Sequence, residues 1–323
     1  MIPETMKAVV LTGPVRGDEV SLTEYPVPKG RPGWVLVKVK AFGMNHSEQL
    51  LRQGEIQADY IQKPIIPGIE CVGEIADPSD SSFKKGQKVA ALMGGMGRSF
   101  NGSYGEYALL PVHHVFSVVS SLSWIELAAV PETYFTARGS LFEGLDLKPS
   151  DTLLIRGATC ALGYAAIQIG KALGCKVIAT THREKKLPLL KEADQAVLDP
   201  GELAGRLPGV TKALELVGPK TLGDTLNCME KGGIVCNTGI LGGIYGIRYF
   251  DPIKFIPNGV YLTGFHSNRP SQKVMDEIFT FLEEHKLTPC LGKAFPFSSV
   301  REACIAQDQG AVEGKIVVYM EEI

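Results

Sequence analysis

The sequence lacks the features that mark several large classes of protein. None of its apolar runs approaches the ~18 residues of a membrane-spanning helix. Its first residues, MIPETMKAVVLTG, have neither the basic nor the apolar region of a signal peptide. The formal net charge is only −2, so nothing in the total charge indicates a nucleic-acid or membrane partner. These absences favour a cytoplasmic protein.

The seven cysteines do not form the spacing of a structural metal site. Their number is odd, and no two of them form a Cys-x-x-Cys pair. The four-cysteine pattern that typically holds structural zinc is therefore missing. Most of the cysteines lie in apolar runs, where we expect buried and reduced thiols.

The first third of the chain is predicted to be rich in β-structure. It contains short apolar or alternating runs bounded by Gly, Pro, Asp and Ser: MKAVVLTG, WVLVKVKAFGMN, ECVGEIAD, QKVAAL and GEYALLP. This spacing predicts a small antiparallel barrel or sandwich. The C-terminal part adds an amphipathic helix in SQKVMDEIFTFLEEHKL, a short helix and the strand GKIVVYM.

From about Ser123 the pattern changes to strands that alternate with crossover segments. Six strand-like runs follow: TLLIRG, KVIATT, QAVLD, KALELVG, GIVCNTG and GVYLTGFH. This alternation predicts an α/β fold with a doubly wound, six-stranded parallel sheet. Right-handed crossovers reverse the strand order beside the first strand, where a ligand would bind. We predict a Rossmann domain at 123–266, inserted between 1–122 and 267–323.

The turn after the first of these strands is the candidate dinucleotide site. It opens a helix, and the free N–H groups of a helix N-terminus favour a pyrophosphate. Two glycine positions of the Gly-x-Gly-x-x-Gly pattern hold other residues, and Cys160 is expected either to weaken binding or to shift the loop slightly. A plain strand–helix turn is the alternative interpretation. The residues expected to contact the cofactor here are Ala158, Thr159, Cys160, Ala161, Leu162 and Gly163.

The end of the second strand bears on the choice between NADH and NADPH. A site for NAD has Asp or Glu at this position to bind the ribose 2′-hydroxyl. This chain has Thr181 instead, and Arg183 and Lys186 follow directly, with His182 beside them. Arginine and lysine suit a 2′-phosphate, so the sequence predicts NADPH. The alternative is that HREKK is only the solvated start of the next helix.

Several segments together resemble the medium-chain dehydrogenase/reductase superfamily, and within it the zinc-independent quinone-oxidoreductase, or zeta-crystallin-like, branch. They are AFGMNHSEQLLRQG, IIPGIECVGEI, GSYGEYALLP, the stretch from Pro131 to Thr181, and EGKIVVYM. The resemblance covers nearly the whole chain in the correct order. It implies a GroES-like β-rich substrate domain made from both chain ends around the Rossmann domain. It also implies a homodimer, with the last Rossmann strand paired to its twin.

The resemblance further implies individual site residues. Asn45 matches the asparagine of the family's Gly-x-Asn turn near the nicotinamide and the substrate, and Thr136 matches a contact to the carboxamide, next to Tyr134 and Phe135. Ordinary turn, capping or solvated positions remain the alternative for these residues. The other residues implied on the cofactor side are Val217, Gly239, Ile240, Leu241, Phe265 and Lys315.

The chain also departs from some members of this branch at Leu50. Some members have Tyr where this chain has Leu50, so Tyr60 or Tyr104 would have to supply a phenol, and Tyr60 is taken as the candidate. Packing in the core or at the rim is the alternative role for both tyrosines.

Zinc-dependent members have a Cys near AFGMNHS and a His in Gly-His-Glu, whereas this chain has Asn45 and Ile69 there, with Glu70 the one matching donor. His46 is a stray candidate. Catalytic zinc needs three protein ligands, so we expect no metal.

The chemistry that remains is hydride transfer to an acceptor that is already electrophilic. A quinone or an α,β-unsaturated carbonyl needs positioning and one hydrogen-bond donor rather than a Lewis acid. The sequence therefore predicts an NADPH-dependent reductase of quinones or enones. Two alternatives stay open: an enoyl-thioester reductase, and a non-catalytic NADPH-binding protein with a structural or RNA-associated role.

Overall fold

The computed structural model describes residues 1–321, so the last two residues of the predicted range 267–323 lie outside it. It separates into two compact units: Met1–Phe135 with the chain from Asn268 onward, and Thr136–Ser267. The first boundary thus falls after Phe135, whereas the sequence pattern changes near Ser123. The physical reason is that the helical segment at 124–127 packs on strands of the first unit, and the N–H of Glu132 donates to Glu70.

Residues 1–138 contain seven strands and three helices, and the third helix crosses the boundary between the two units after Phe135. The strands are β1 (Thr5–Val9), β2 (Leu22–Pro26), β3 (Trp34–Met44), β4 (Glu70–Asp77), β5 (Lys88–Leu92), β6 (Tyr107–Pro111) and β7 (Val115–Ser117). The helices are α1 (His46–Gln53), α2 (Trp124–Leu127) and α3 (Pro131–Arg138). Short 3₁₀ turns lie at Gly17–Glu19, Glu55–Gln57 and Val112–His114.

The second unit has the alternating pattern that the sequence predicts. A π-helical segment, Gly139–Gly144, continues α3. The strands are β8 (Thr152–Arg156), β9 (Lys176–Thr181), β10 (Gln195–Leu198), β11 (Val210–Glu215), β12 (Met229–Asn237) and β13 (Tyr261–Gly264). The helices are α4 (Ala161–Ala172), α5 (Leu222–Asn227) and α6 (Pro252–Phe255).

These six strands form one parallel sheet in the order β10-β9-β8-β11-β12-β13. The reversal beside β8 confirms the predicted Rossmann-type sheet, and it places the β8–α4 turn at the switch point. The crossover between β9 and β10 differs from the expected helix. It is a 3₁₀ segment, Glu184–Leu190, with Pro188 inside it, and proline has no N–H for a continuing α-helical ladder.

The C-terminal part completes the first unit with helix α7 (Gln272–Glu284), strand β14 (Leu291–Pro296), a 3₁₀ turn (Phe297–Ser299), helix α8 (Val300–Asp308) and strand β15 (Lys315–Tyr319). Its main sheet runs β14-β15-β3-β4-β5-β7, with β6 also paired to β3. Only the β14–β15 pair is parallel among these pairings, which agrees with the expected GroES-like, mostly antiparallel domain. Strands from the first third of the chain and from its C-terminal part therefore build one sheet.

None of the helices within residues 1–321 has the length and apolar character that crossing a lipid bilayer would take.

Candidate functional site

Three neighbouring strands of the first unit bring Asn45, Glu70 and Lys315 together. Asn45 follows the last residue of β3 and is the N-cap of α1, Glu70 begins β4 and Lys315 begins β15. Both β4 and β15 run antiparallel to β3, with Ile316 opposite Met44. The end of β3 and the starts of its two neighbours therefore meet at one edge of the sheet.

The three side chains form a closed set of hydrogen bonds. The ammonium of Lys315 donates to Asn45 Oδ1 at 2.6 Å and lies 2.6 Å from Glu70 Oε1. Asn45 Nδ2 donates to the same Glu70 oxygen at 2.9 Å, and the backbone N–H of Glu132 donates to the other at 2.8 Å. Glu70 and Lys315 are 0% and 2% exposed, so this ion pair is excluded from water, while Asn45 is half-buried.

A second carboxyl group, that of Glu48, lies next to this set and is 2% exposed. It accepts the backbone N–H groups of Asn45 and Ile69, the latter at 2.9 Å. Burial raises the pKa of Glu48 to about 7, and the neighbouring carboxylate of Glu70 adds to the rise. This group therefore changes its charge close to neutral pH. Sequence reasoning did not single out Glu48, although its spacing after Asn45 matches a helix capping box.

The two tyrosines that could replace a phenol at Leu50 lie in different surroundings. Tyr60 is 68% exposed and its hydroxyl donates to the surface carboxylate of Glu55. Tyr104 is buried, stacks on Phe42 and has a hydroxyl with no hydrogen-bond partner in the described chain. Burial raises the pKa of Tyr104 well above its usual value, with Glu48 adding to the rise.

The residues at this sheet edge do not supply a donor set for zinc. Ile69 cannot bind a metal, Glu70 is already paired with Lys315, and His46 is exposed with its ring on Gln49. Across residues 1–321, no three His, Cys, Asp or Glu side chains group as metal ligands would. A tetrahedral zinc ion with three protein ligands therefore does not fit these side chains.

In the second unit, the turn after β8 has the backbone shape of a nucleotide loop. Gly157 has a φ of +79°, which favours glycine, and a Cβ on Gly163 would collide with the carbonyl group of Ala158. Cys160 is the N-cap of α4, and its thiol accepts the N–H of Gly163 at 3.4 Å. The thiol thus occupies one of the N–H donors that a pyrophosphate would use.

The end of β9 is lined with hydroxyl and basic groups. The hydroxyl of Thr181 lies 3.3 Å from that of Thr159 and accepts the N–H of Arg183 at 3.3 Å. Burial lowers the pKa of His182, and the positive charges of Arg183, Lys186 and Lys220 lower it further. Lys220 joins this basic group from beyond β11, 34 residues after Lys186 in the numbering, so local sequence reading missed it.

A buried ionic network lies directly before the turn. The guanidinium of Arg156, 0% exposed at the end of β8, donates to both oxygens of Asp199 at 2.8 and 3.0 Å and to Asp224 at 2.7 Å. Burial alone would raise the pKa of Asp199, but the bonds from Arg156 hold it below its usual value. Glu215, at the end of β11, accepts the N–H groups of Val217 and Gly218. Sequence reasoning missed this network. The feature that could have predicted it is a charged residue within each of two apolar runs, Arg156 in TLLIRG and Glu215 in KALELVG.

Thr136 and Phe265, which are expected near the nicotinamide, contact the small residues Ser140 and Gly139. Ser140 donates to the carbonyl of Thr136 at 2.7 Å, and its hydroxyl lies 2.8 Å from that of Thr238, which precedes Gly239. A Cβ on Gly139 would collide with the Phe265 ring, so this ring packs on bare backbone.

The loops after β11 and β12 are joined by backbone hydrogen bonds. The N–H groups of Leu241 and Gly242 donate to the carbonyls of Leu216 and Val217. A Cβ on Gly157 would lie 3.0 Å from a methyl group of Val217 and 3.6 Å from one of Leu241, and the carbonyl of Ile240 accepts the N–H of Gly243. Val217, Ile240 and Leu241 thus belong to one group of loops beside Gly157.

Comparison with known proteins identifies both units. Residues 31–120 match the alcohol dehydrogenase GroES-like domain, and residues 161–284 match the zinc-binding dehydrogenase family. The chain is 31% identical to the quinone oxidoreductase of Mus musculus over 298 residues, which cover 86% of each chain. The crystal structure of AibC superimposes with a TM-score of 0.87 at 26% identity, covering 99% of this chain and 97% of that one. An NAD-dependent alcohol dehydrogenase gives 0.84 at 26% identity, covering 98% and 100%.

Proposed function

The chain belongs to the medium-chain dehydrogenase/reductase superfamily, in its quinone-oxidoreductase-like branch, and we propose that it is an NADPH-dependent reductase that acts without zinc on a quinone or an α,β-unsaturated carbonyl. Membership makes it an oxidoreductase with a nicotinamide cofactor. The observation that carries the finer proposal is the Asn45 amide, a half-buried donor bonded on both sides and set among residues that do not suit a metal.

The chemistry divides between the cofactor and the residues of the chain. A bound reduced nicotinamide supplies a hydride, which carries two electrons to the acceptor. The acceptor oxygen then gains negative charge, and a positioned N–H donor stabilises that charge. Asn45 Nδ2 is the donor proposed for this role, and water supplies the proton that completes the product. Tyr60, on the surface with Glu55, and Tyr104, buried without a partner, are not needed for this scheme.

The basic group at the end of β9 supports a preference for NADPH. Thr181 carries no charge that would repel a 2′-phosphate, and Arg183, Lys186 and Lys220 converge on His182. Two well-formed charged hydrogen bonds at about 1.5 kcal/mol each amount to ~3 kcal/mol, or on the order of a hundredfold in affinity.

Cofactor preference is tested by the dissociation constants of NADPH and NADH, measured for the wild type and for Arg183→Ala with Lys186→Ala. We expect the double variant to lose most of the preference while NADH binding stays within about twofold. The matched control is Lys84→Ala with Lys85→Ala, two adjacent basic residues of the first unit, which should leave the ratio unchanged. Equal affinities in the wild type would refute the NADPH assignment.

The absence of zinc from the reaction is supported by the commitment of Glu70 to Lys315. A metal ion next to Glu70 would have to displace an ammonium group that already neutralises the carboxylate. We therefore expect turnover to persist in excess chelator, and elemental analysis to find no stoichiometric zinc. One zinc per chain, with activity lost on its removal and restored by its return, would overturn this part.

We also propose a cytoplasmic homodimer. In the described chain β13 pairs on one side only, with β12, and Tyr261 on it is exposed. Unpaired sheet edges are normally covered, and a second copy of the same strand would cover this one. No disulfide joins any of the seven cysteines, which suits a reducing compartment. Light scattering at micromolar concentration tests the dimer, and a monomeric mass would contradict it.

Substrate class is tested by NADPH oxidation with three panels: small quinones, simple enones and enoyl thioesters. We expect turnover with quinones or enones. Turnover with thioesters alone would favour the enoyl-thioester reductase. NADPH binding without turnover on any panel would favour a non-catalytic cofactor-binding protein, for which the thiol of Cys160 on the Gly163 N–H is the supporting feature.

A further inference from the structure

We propose that the buried Glu70–Lys315 ion pair is a positioning device for Asn45: it fixes which end of the amide is the donor and strengthens that donor toward the acceptor oxygen. The inference rests on the proposed reductase function, and it assigns Lys315 to the amide of Asn45 rather than to the cofactor. Neither Lys315 nor Glu70 touches the reacting atoms in this scheme.

The first argument is the orientation of the amide. An ammonium group can only donate hydrogen bonds, and an ionised carboxylate can only accept them. Lys315 on one side and Glu70 on the other therefore allow a single orientation of Asn45, with Oδ1 toward the lysine and Nδ2 toward the glutamate. A rotated amide would place its oxygen against a carboxylate and its N–H groups against an ammonium.

The second argument is the donor that this orientation leaves. Asn45 Nδ2 carries two hydrogens, and one of them serves Glu70 at 2.9 Å. In the part of the chain that the structure describes, the other hydrogen has only the carbonyl of Gly43 at 3.5 Å, which is too long for a good bond. One N–H of a half-buried amide therefore remains available for a ligand. The positive charge 2.6 Å from Oδ1 polarises the amide, and this makes the available N–H a stronger donor.

The third argument is that the backbone is shaped around the pair. A Cβ at Gly43 would lie 2.6 Å from Glu70 Oε1 and 2.8 Å from the carbonyl of Ala128, and it would collide with the side chain of Lys315. The missing side chain of Gly43 thus leaves the space that the Lys315 side chain occupies when its ammonium bonds Asn45. A solvated lysine at the start of a strand would need no such space.

The cost of burying the pair also indicates a role beyond stability. Buried ion pairs contribute little net stability, because the desolvation of both ions offsets their attraction. Glu70 and Lys315 are nevertheless almost completely excluded from water, and within residues 1–321 the Lys315 ammonium bonds Glu70 and Asn45 and no other side chain. What the pair supplies is a defined orientation and polarisation of one amide.

The first test separates positioning from cofactor binding. Lys315→Met should lower kcat at least tenfold while changing the NADPH dissociation constant less than twofold, because the cofactor keeps its contacts in the second unit. Lys315→Arg, which keeps the charge, should recover part of kcat. Lys38→Met removes an exposed lysine of β3 and serves as the matched control with unchanged kinetics. A raised NADPH dissociation constant with unchanged kcat would overturn the proposal in favour of a cofactor-binding lysine.

A second variant covers the possibility that Lys315→Met fails to fold because it leaves Glu70 unpaired. The double change Glu70→Gln with Lys315→Met removes both charges together and keeps the volume similar, which buried ion pairs usually tolerate. It should fold and bind NADPH, yet it should show the same loss of kcat, because a glutamine allows both amide orientations of Asn45. Wild-type kcat in a folded double variant would overturn the proposal.

The final test does not depend on turnover. The chain has six asparagines, so selective ¹⁵N-asparagine labelling gives few side-chain signals, and Asn45→Ala identifies the signal of Asn45. In the wild type we expect two widely separated amide protons with slow exchange. In Lys315→Met they should move toward the values of an exposed asparagine. If this occurs while no acceptor is reduced, the proposed function fails and the positioning role stands. If acceptors are reduced but both kcat and the Asn45 signals are unchanged in Lys315→Met, the positioning role is wrong.

Discussion

Each of the two compact units buries a group of charged side chains. The two groups differ in the residues to which these side chains are hydrogen-bonded. In the second unit, Arg156 donates to Asp199 and Asp224, and the hydroxyl of Thr225 joins it to Glu215. These bonds end on the ends of strands and on α5, so every partner is part of the scaffold. In the first unit, Lys315 and Glu70 both bond Asn45, a half-buried amide that keeps one N–H for a ligand.

A buried group of ion pairs and hydrogen bonds can therefore have two different roles. A fully satisfied buried network fixes strand ends relative to one another, which the β8–α4 turn needs in order to hold its shape. A buried pair that ends on a half-buried amide instead fixes one donor for chemistry. Substitutions in the two groups should therefore affect different properties of the protein. Loss of the first kind should reduce stability, and loss of the second kind should reduce turnover.

The largest effect is expected from Arg156→Met. Removal of the guanidinium leaves the buried Asp199 and the half-buried Asp224 without their counter-charge, and breaking a buried ion pair in this way typically costs about 3–5 kcal/mol. Urea unfolding should show this loss. Adding Asp199→Asn should recover part of it, since it removes one unpaired carboxylate. The exposed Arg16→Met is the control and should change stability by less than ~0.5 kcal/mol. A loss below about 1 kcal/mol for Arg156→Met would contradict the scaffold role.

Asn45→Ala should instead cause a large loss of turnover and only a small loss of stability. Loss of a donor to a developing oxyanion typically lowers kcat by about 10²–10³-fold, whereas loss of an N-cap costs roughly 1 kcal/mol of stability. Steady-state kinetics and thermal unfolding of the same preparation separate the two effects. Asn227→Ala, at an exposed asparagine of α5, is the control and should keep full turnover. If Asn45→Ala retains turnover, the buried pair of the first unit does not serve catalysis, and the proposed difference between the two groups is wrong.

Glu48 gives the first unit a distinctive pH dependence. Its pKa is raised from 4.5 in the unfolded chain to about 7 in the folded protein, so the folded state holds the proton more tightly. The free energy of unfolding should therefore fall as pH rises from about 4.5 to about 7, by on the order of 3 kcal/mol from this group. The charged and titratable groups that face it are Glu70, Lys315, Arg98, Tyr104 and Cys304.

Glu48→Gln tests this dependence, because glutamine has no proton to lose. The difference in unfolding free energy between wild type and variant should change between about pH 4.5 and pH 7, with the wild type relatively less stable at the higher pH. Other carboxylates, such as Asp199 with its lowered pKa, contribute with the opposite sign and cancel in the comparison. A difference independent of pH would mean that Glu48 is ionised throughout.

The sequence predicted what is local and periodic. The six apolar runs gave the parallel sheet, and the turn at Gly163 was found from its position between strand and helix. Pairings across the sheet could not be predicted, because Asn45 and Lys315 are 270 residues apart and meet only through the register of β15 on β3. Lys220 was missed for the same reason. The 3₁₀ segment at Glu184–Leu190 was missed because its basic and apolar residues also suit an α-helix, and Pro188 decides against it.

The smallest effect is expected at Cys160, in the turn that the Arg156 network supports. Its thiol accepts the N–H of Gly163 and so competes weakly with a pyrophosphate for that donor. Cys160→Gly should free the N–H and tighten both NADPH and NADH by a similar factor, up to about fivefold, or ~1 kcal/mol. The ratio of the two affinities should not change, since both cofactors carry the same pyrophosphate. Cys160→Ser is the matched control: a hydroxyl accepts the same N–H more strongly, so it should give no tightening. Unequal changes for the two cofactors, or tightening by serine as well, would show that the thiol does not limit access to this loop.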